Sequence, residues 1–200
     1  MLSEKQNQIL IIAKKKGIIR ARDLDAYDIP REHLRRLVRK GKLIQIGRGW
    51  YIIPGSEISE NRSLVEASLK IPNGTICLLS AIRYHGLTTQ NPHKVWIAID
   101  PKARKPVLQN FPIHIVRFSG DALVRGVENR IIEGKNIKLY NPGKTVADCF
   151  KYRNKIGTDV AVEALKECLN QNKSDIDAIW DYAKVCRVQN VMMPYLESIM

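Results

Sequence analysis

The chain has 200 residues, with 33 Lys and Arg against 20 Asp and Glu, and a formal net charge of +13. Its 44% hydrophobic content suits one large or two small globular cores. No apolar run approaches the ~18 residues of a membrane-spanning helix, and the N-terminus reads as a capped helix rather than a leader, so a cytoplasmic protein with no membrane partner is expected.

Ser3-Glu4-Lys5-Gln6 is a capping-box pattern: serine at the N-cap and glutamine three residues later. The helix that follows places Ile9, Ile12 and Ala13 on a buried side. Lys14 to Lys16 complement its dipole, and Gly17 stops it. Ile18-Ile19 predicts a short strand leading to a brief helix over 20–24, which ends at the break Asp28-Ile29-Pro30. Pro30 suits the first turn of the next helix and Gly41 the left-handed position after its end. At 100° per residue, Leu34, Leu37 and Val38 share one face, while Glu32, Arg35, Arg36 and Arg39 share the other. A charged helix face by itself usually means only contact with water.

The next segment changes that reading. Leu43–Ile46 and Trp50–Ile53 have strand composition and flank Gly47-Arg48-Gly49, which predicts a hairpin with Arg48 at its tip. Helix, short helix, turn, basic helix and hairpin together predict a winged helix-turn-helix. Its second helix would enter the DNA major groove and its wing would lie along the backbone. Residues 1–56 hold thirteen basic and five acidic residues, +8 of the total +13. Such concentration of charge is an electrostatic footprint for nucleic acid. Arg35, Arg36 and Arg39 are the expected base or phosphate contacts, with Arg31 on the same surface. Glu32 can accept from a cytosine amino group or orient an arginine. Lys40, Lys42, Arg20 and Arg22 would hold phosphates, and Arg48 would reach from the wing. One winged helix covers about half a site, so two molecules on an inverted-repeat operator in double-stranded DNA are expected.

A linker near residues 56–62 divides the expected domains, 1–56 and 63–200. Beyond it, helices are predicted over 64–69 and 78–85, strands over 95–99 and 113–118, and a hairpin over 127–140 turning at Gly134-Lys135. Four helices follow, at 143–153, 158–171, 175–187 and 191–199. The fold class is therefore α+β: an N-terminal winged helix-turn-helix, then a mixed α/β domain ending in a helical C-terminal region. Pro101 to Pro106 reads as an exposed basic loop that could make a second phosphate contact. Cys77, Cys149, Cys168 and Cys186 lack Cys-x-x-Cys spacing and read as buried reduced thiols rather than zinc ligands.

The chain resembles AbiE-type antitoxins, the transcriptional regulators of type IV toxin–antitoxin pairs. The resemblance rests on Ile29-Pro30, the run from Leu34 to Gly41 and Gly47-Arg48-Gly49-Trp50-Tyr51. Later stretches extend it: Cys77 to Ile82 with His85-Gly86-Leu87-Thr88, Pro92, Val95 to Ile99, and Lys144 to Arg153. It implies a DNA-binding autorepressor whose C-terminal domain counters a nucleotidyltransferase-like toxin without forming a stable complex with it. On that view Lys144, Asp148 and Lys151, at i, i+4 and i+7 on one helix, are a candidate antitoxin surface; the plainer reading is an i,i+4 ion-pair ladder.

Two rival classes remain open. Glu133-Gly134-Lys135 matches half of a nuclease metal site, with Asp100 or Asp121 as a second carboxylate, though a hairpin tip would splay Glu133 and Lys135 apart. A one-component regulator binding a small ligand is the other. Gly143-Lys144-Thr145 mimics the end of a phosphate-binding loop, but the upstream glycine pattern is absent, and no cofactor is expected.

Overall fold

A computed structural model describes residues 2–55, 61–106 and 111–199. Five of the linker positions, 56–60, lie outside the described residues. The chain divides into two compact units: Met1–Lys70 with Ile131–Asn136, and Ile71–Arg130 with Ile137–Met200.

The first unit opens with helix α1 (Glu4–Lys16), whose capping box forms as expected: Ser3 Oγ accepts from Gln6 N and Gln6 Oε1 accepts from Ser3 N. Strand β1 (Ile18–Arg20) feeds a 3₁₀ helix (Ala21–Tyr27), then helix α2 (Glu32–Arg39) and the strands β2 (Ile44–Gly47) and β3 (Trp50–Ile52). β3 is the centre of a three-stranded antiparallel sheet, with Ile19 opposite Tyr51 and Arg20 opposite Trp50 on one side, and Gln45 opposite Tyr51 on the other. A bulge between Gln45 and Gly47 shortens the expected three-residue loop to a turn at Arg48-Gly49, where Gly49 takes φ +78°. The α2 pair Leu34 and Leu37 packs with Ile9, Ile19, Leu24 and Leu43. Helix α3 (Arg62–Lys70) buries Leu64, Val65 and Ala67, and Lys70 Nζ donates to the Ile46 carbonyl at 2.6 Å. Helix, strand, helix and hairpin give this unit the form of a winged helix.

The second unit is built on a five-stranded mixed sheet of β4 (Thr75–Ile76), β5 (Val95–Ile99), β6 (Ile113–Arg117), β7 (Val127–Ile132) and β8 (Lys135–Tyr140), in the order β6-β5-β4-β8-β7, of which only the β7–β8 turn region, Ile131–Asn136, groups with the first unit. β5 runs parallel to β6 and antiparallel to β4; β4 runs parallel to β8. The β7–β8 turn falls one residue earlier than the sequence suggests, at Glu133 (φ +48°) and Gly134 (φ +68°). Two positive-φ residues match the twist of paired strands, which draws Lys135 into β8.

Helices complete the unit: α4 (Leu78–Tyr84), α5 (Asp121–Val124), α6 (Pro142–Lys151), α7 (Arg153–Ile156), α8 (Thr158–Asn170), α9 (Ile176–Cys186) and α10 (Gln189–Glu197). Asn141 caps α6 by accepting from Lys144 N, with Pro142 in the first turn where its missing N–H costs nothing. α6 packs against α4, α8 and α9, and every residue from Gly143 to Phe150 is buried. Among the described residues no helix is long and apolar enough to cross a membrane.

Candidate nucleic-acid interface

The geometry of α2 follows from its sequence. Leu34 and Leu37 are 0% exposed, so the helix is clamped by its apolar side, and Arg31, Glu32, Arg35, Arg36, Arg39 and Lys40 all face water. These residues are not equivalent. Arg36 pairs with Glu32 at 3.1 Å, one helical turn back. Arg31 forms a two-pronged bond with Asp25, Nε to Oδ1 at 3.2 Å and Nη2 to Oδ2 at 2.6 Å, and that carboxylate holds its guanidinium above the usual arginine range. Lys40 Nζ donates to Gln6 Oε1 at 3.3 Å. Arg35 and Arg39, four residues apart on the same face, make no hydrogen bond or ion pair among the described residues. Their donors are therefore available to a ligand without breaking a contact.

Arg22, Lys42 and Arg48 are exposed as well. Arg48 occupies the corner of the wing turn, and the wing is tied to the 3₁₀ helix where Ala21 N donates to Gly49 O at 2.9 Å. Arg20 is different from the simple phosphate holder the sequence suggests. It is half-buried, its guanidinium lies 3.9 Å over the Trp50 ring, and its Nε is buried. This stack sits at the β1–β3 register pair beside the wing turn and braces the wing at that end. The sequence carried its signal, an Arg and a Trp at the ends of short strands, but strand pairing had to be known first.

The C-terminal candidates change most. Lys144 and Asp148 are fully buried and cannot form a surface; only Lys151 is exposed. Lys144 Nζ donates to both Asp148 oxygens at 2.6 Å and lies 4.2 Å from the Tyr140 ring and 4.9 Å from that of Phe118. Cys186 Sγ donates to Asp148 Oδ1 at 3.2 Å. Burial raises the Asp148 carboxyl above the ordinary aspartate value even against Lys144, and pushes the Cys186 thiol up to about 12. The surface reading fails because α6 is enclosed on all sides, so its charged pair goes inside with it.

The nuclease geometry gains no support. Glu133 sits in the turn while Lys135 belongs to β8, and Asp100 Oδ1 accepts from Lys102 N at 2.7 Å, closing its own loop. Among the described residues no group of three His, Cys, Asp or Glu is placed to hold a metal ion. All four cysteines are free and buried.

A helix with an exposed arginine face and a hairpin with an arginine at its turn define the class: a protein whose first unit resembles a winged helix. Residues 7–54 match the family model described as "Transcriptional regulator, AbiEi antitoxin", about a quarter of the chain. That description is of a regulator, consistent with a non-catalytic protein. No curated protein matches the chain. Among solved structures, the chain is similar to the crystal structure of RV2827C protein from Mycobacterium tuberculosis. The TM-score is 0.59 at 14% identity, over 93% of this chain and 77% of that one. At this identity the likeness is one of fold.

Proposed function

We propose that the chain is a DNA-binding transcriptional autorepressor and the antitoxin of a type IV pair. The observation that carries the DNA-binding part is the division of α2: Leu34 and Leu37 are wholly buried while Arg35 and Arg39 stand exposed without partners among the described residues. Arg35 and Arg39 read base edges in the major groove, where a bidentate arginine–guanine contact discriminates by about 1–3 kcal/mol. Arg36 exchanges its Glu32 partner for DNA or keeps it, leaving Glu32 to orient it. Arg31, Lys40, Lys42 and Arg22 follow the phosphates, and Arg48 adds the wing contact. Two chains bind an inverted repeat, since one winged helix spans half a site. The antitoxin half of the reading is supported by the family match over 7–54. The toxin it opposes is nucleotidyltransferase-like, and no stable complex forms with it. The protein works in the cytoplasm.

The test is a reporter driven by the DNA upstream of the chain's own gene, together with co-expression of the adjacent gene. Wild type represses the reporter and restores growth when a toxic neighbour is induced. Arg35→Ala/Arg39→Ala releases repression. A reporter that ignores the wild-type chain overturns the repressor reading, and a neighbour without toxicity overturns the antitoxin reading.

A further inference from the structure

The second unit carries a cationic surface that winged-helix DNA binding does not use. β6 is the outermost strand of its sheet. In the β5–β6 register His114 lies opposite Trp96, and the two rings stack with centroids 3.9 Å apart and planes at 28°. Trp96 is only 9% exposed and makes a buried floor, and its backbone N–H donates to Ser80 Oγ at 2.9 Å. His114 is half-buried, so part of the imidazole reaches solvent.

Three exposed lysines from three different segments lie within electrostatic range of this ring. Lys94 lies in the bend just before β5, two residues from Trp96. Lys155 comes from α7 and Lys105 from the Pro101 to Pro106 loop. That loop is shaped by Arg117, whose Nη1 donates to the carbonyls of Asp100, Pro101 and Ala103. Burial, and then Lys94, Lys155 and Lys105, all lower the basicity of His114; no acidic group offsets them. The imidazole is therefore held neutral, an aromatic surface inside a cationic rim.

We propose that this patch binds a single-stranded polynucleotide, with one base stacked on His114 over Trp96 and the neighbouring phosphates on Lys94, Lys105 and Lys155. A duplex keeps its bases stacked on one another, whereas a single strand offers an aromatic face to a protein ring and winds its backbone along basic side chains. The site is separate from α2 and its wing and does not depend on their function.

The test measures fluorescence anisotropy of the full chain with three labelled probes: a mixed-sequence RNA of about 12 nucleotides, the same sequence as single-stranded DNA, and that DNA as a duplex. Wild type binds one or both single strands, and the preference between RNA and DNA identifies the natural source. Lys94→Gln/Lys155→Gln weakens single-strand binding at least tenfold and lowers its salt slope by about 1.4, at about 0.7 per phosphate. His114→Ala weakens it about fivefold or more, while His114→Phe, which keeps the stack, retains it. Binding to the DNA upstream of the chain's own gene is unchanged in all three variants. The proposal is overturned if wild type fails to bind single strands or if the variants bind them as wild type does. Equal losses on single-stranded and upstream duplex DNA also overturn it, because the patch would then be a general backbone contact.

Discussion

Replacing Lys144 with Met tests the buried pair at the centre of the second unit. Lys144 and Asp148 side chains are 0% and 1% exposed and joined at 2.6 Å. The methionine keeps the length of the lysine stem but leaves a carboxylate uncompensated in the core. Breaking a buried pair by removing one partner costs about 3–5 kcal/mol. At roughly 2–4 °C per kcal/mol for a chain of this size, Tm falls by about 6–20 °C. The loss also acquires a pH dependence. Burial already raises the Asp148 carboxyl above the ordinary aspartate value, and the charge and hydrogen bonds of Lys144 oppose that rise. Without Lys144 the folded pKa climbs further. An acid whose folded pKa lies above its unfolded value favours folding when protonated, and that advantage disappears as pH rises through the folded pKa. Relative to wild type, Lys144→Met is therefore least destabilised in acid and most destabilised toward neutral and alkaline pH. Lys144→Met/Asp148→Leu removes both charges and recovers most of the loss. The assay is urea unfolding of each variant at about pH 5 and about pH 8. A single-variant loss under about 1 kcal/mol, or a double variant no better than the single, refutes the reasoning.

Gly126→Ala is expected to lose about 1–3 kcal/mol from backbone strain alone, because Gly126 has φ +77°. The new Cβ also falls 2.6 Å from Lys144 Cβ and 3.2 Å from Tyr182 Cε1, so the measured loss in urea unfolding exceeds that of a strained but open site. The four thiols are expected to resist iodoacetamide at about pH 8 in the native protein and to react fully in denaturant, as read by mass. Burial pushes Cys168 up to about 11 and Cys186 to about 12, so little thiolate forms even where the reagent gains entry. Rapid native labelling of Cys77 or Cys149, both 0% exposed, would contradict their place in the core.

The N-terminal unit was legible because its signals are local. A serine and a glutamine three residues apart define a cap, a proline and a glycine bound the basic helix, and apolar residues at helical spacing fix which side of α2 is buried. Arg31 and Arg20 were harder to assign, since Asp25 and Trp50 are brought to them only by the 3₁₀ helix and by strand pairing. In the second unit, β4 is two residues long and leaves almost no period to detect. The Lys144–Asp148 spacing has the same appearance on an exposed helix as on an enclosed one. A clue lay in the neighbours: Thr145, Val146, Ala147, Cys149 and Phe150 make α6 apolar nearly all round, and such a helix is an interior one. The His114 surface depends on a β5–β6 register that pairs residues 18 positions apart, which no local pattern reveals.

The most direct measurement of the central claim compares binding to the upstream DNA and to random duplex of equal length, at several salt concentrations, for wild type, Arg35→Ala, Arg39→Ala and Arg48→Ala. Arg35→Ala and Arg39→Ala each lower the upstream-to-random affinity ratio by about 5- to 150-fold, the equivalent of about 1–3 kcal/mol. Arg48→Ala weakens both DNAs together and lowers the salt slope by about 0.9, as loss of one phosphate contact requires. If the ratio is unchanged in both α2 variants, α2 positions the protein without reading sequence, and the account of how this chain recognises DNA is wrong.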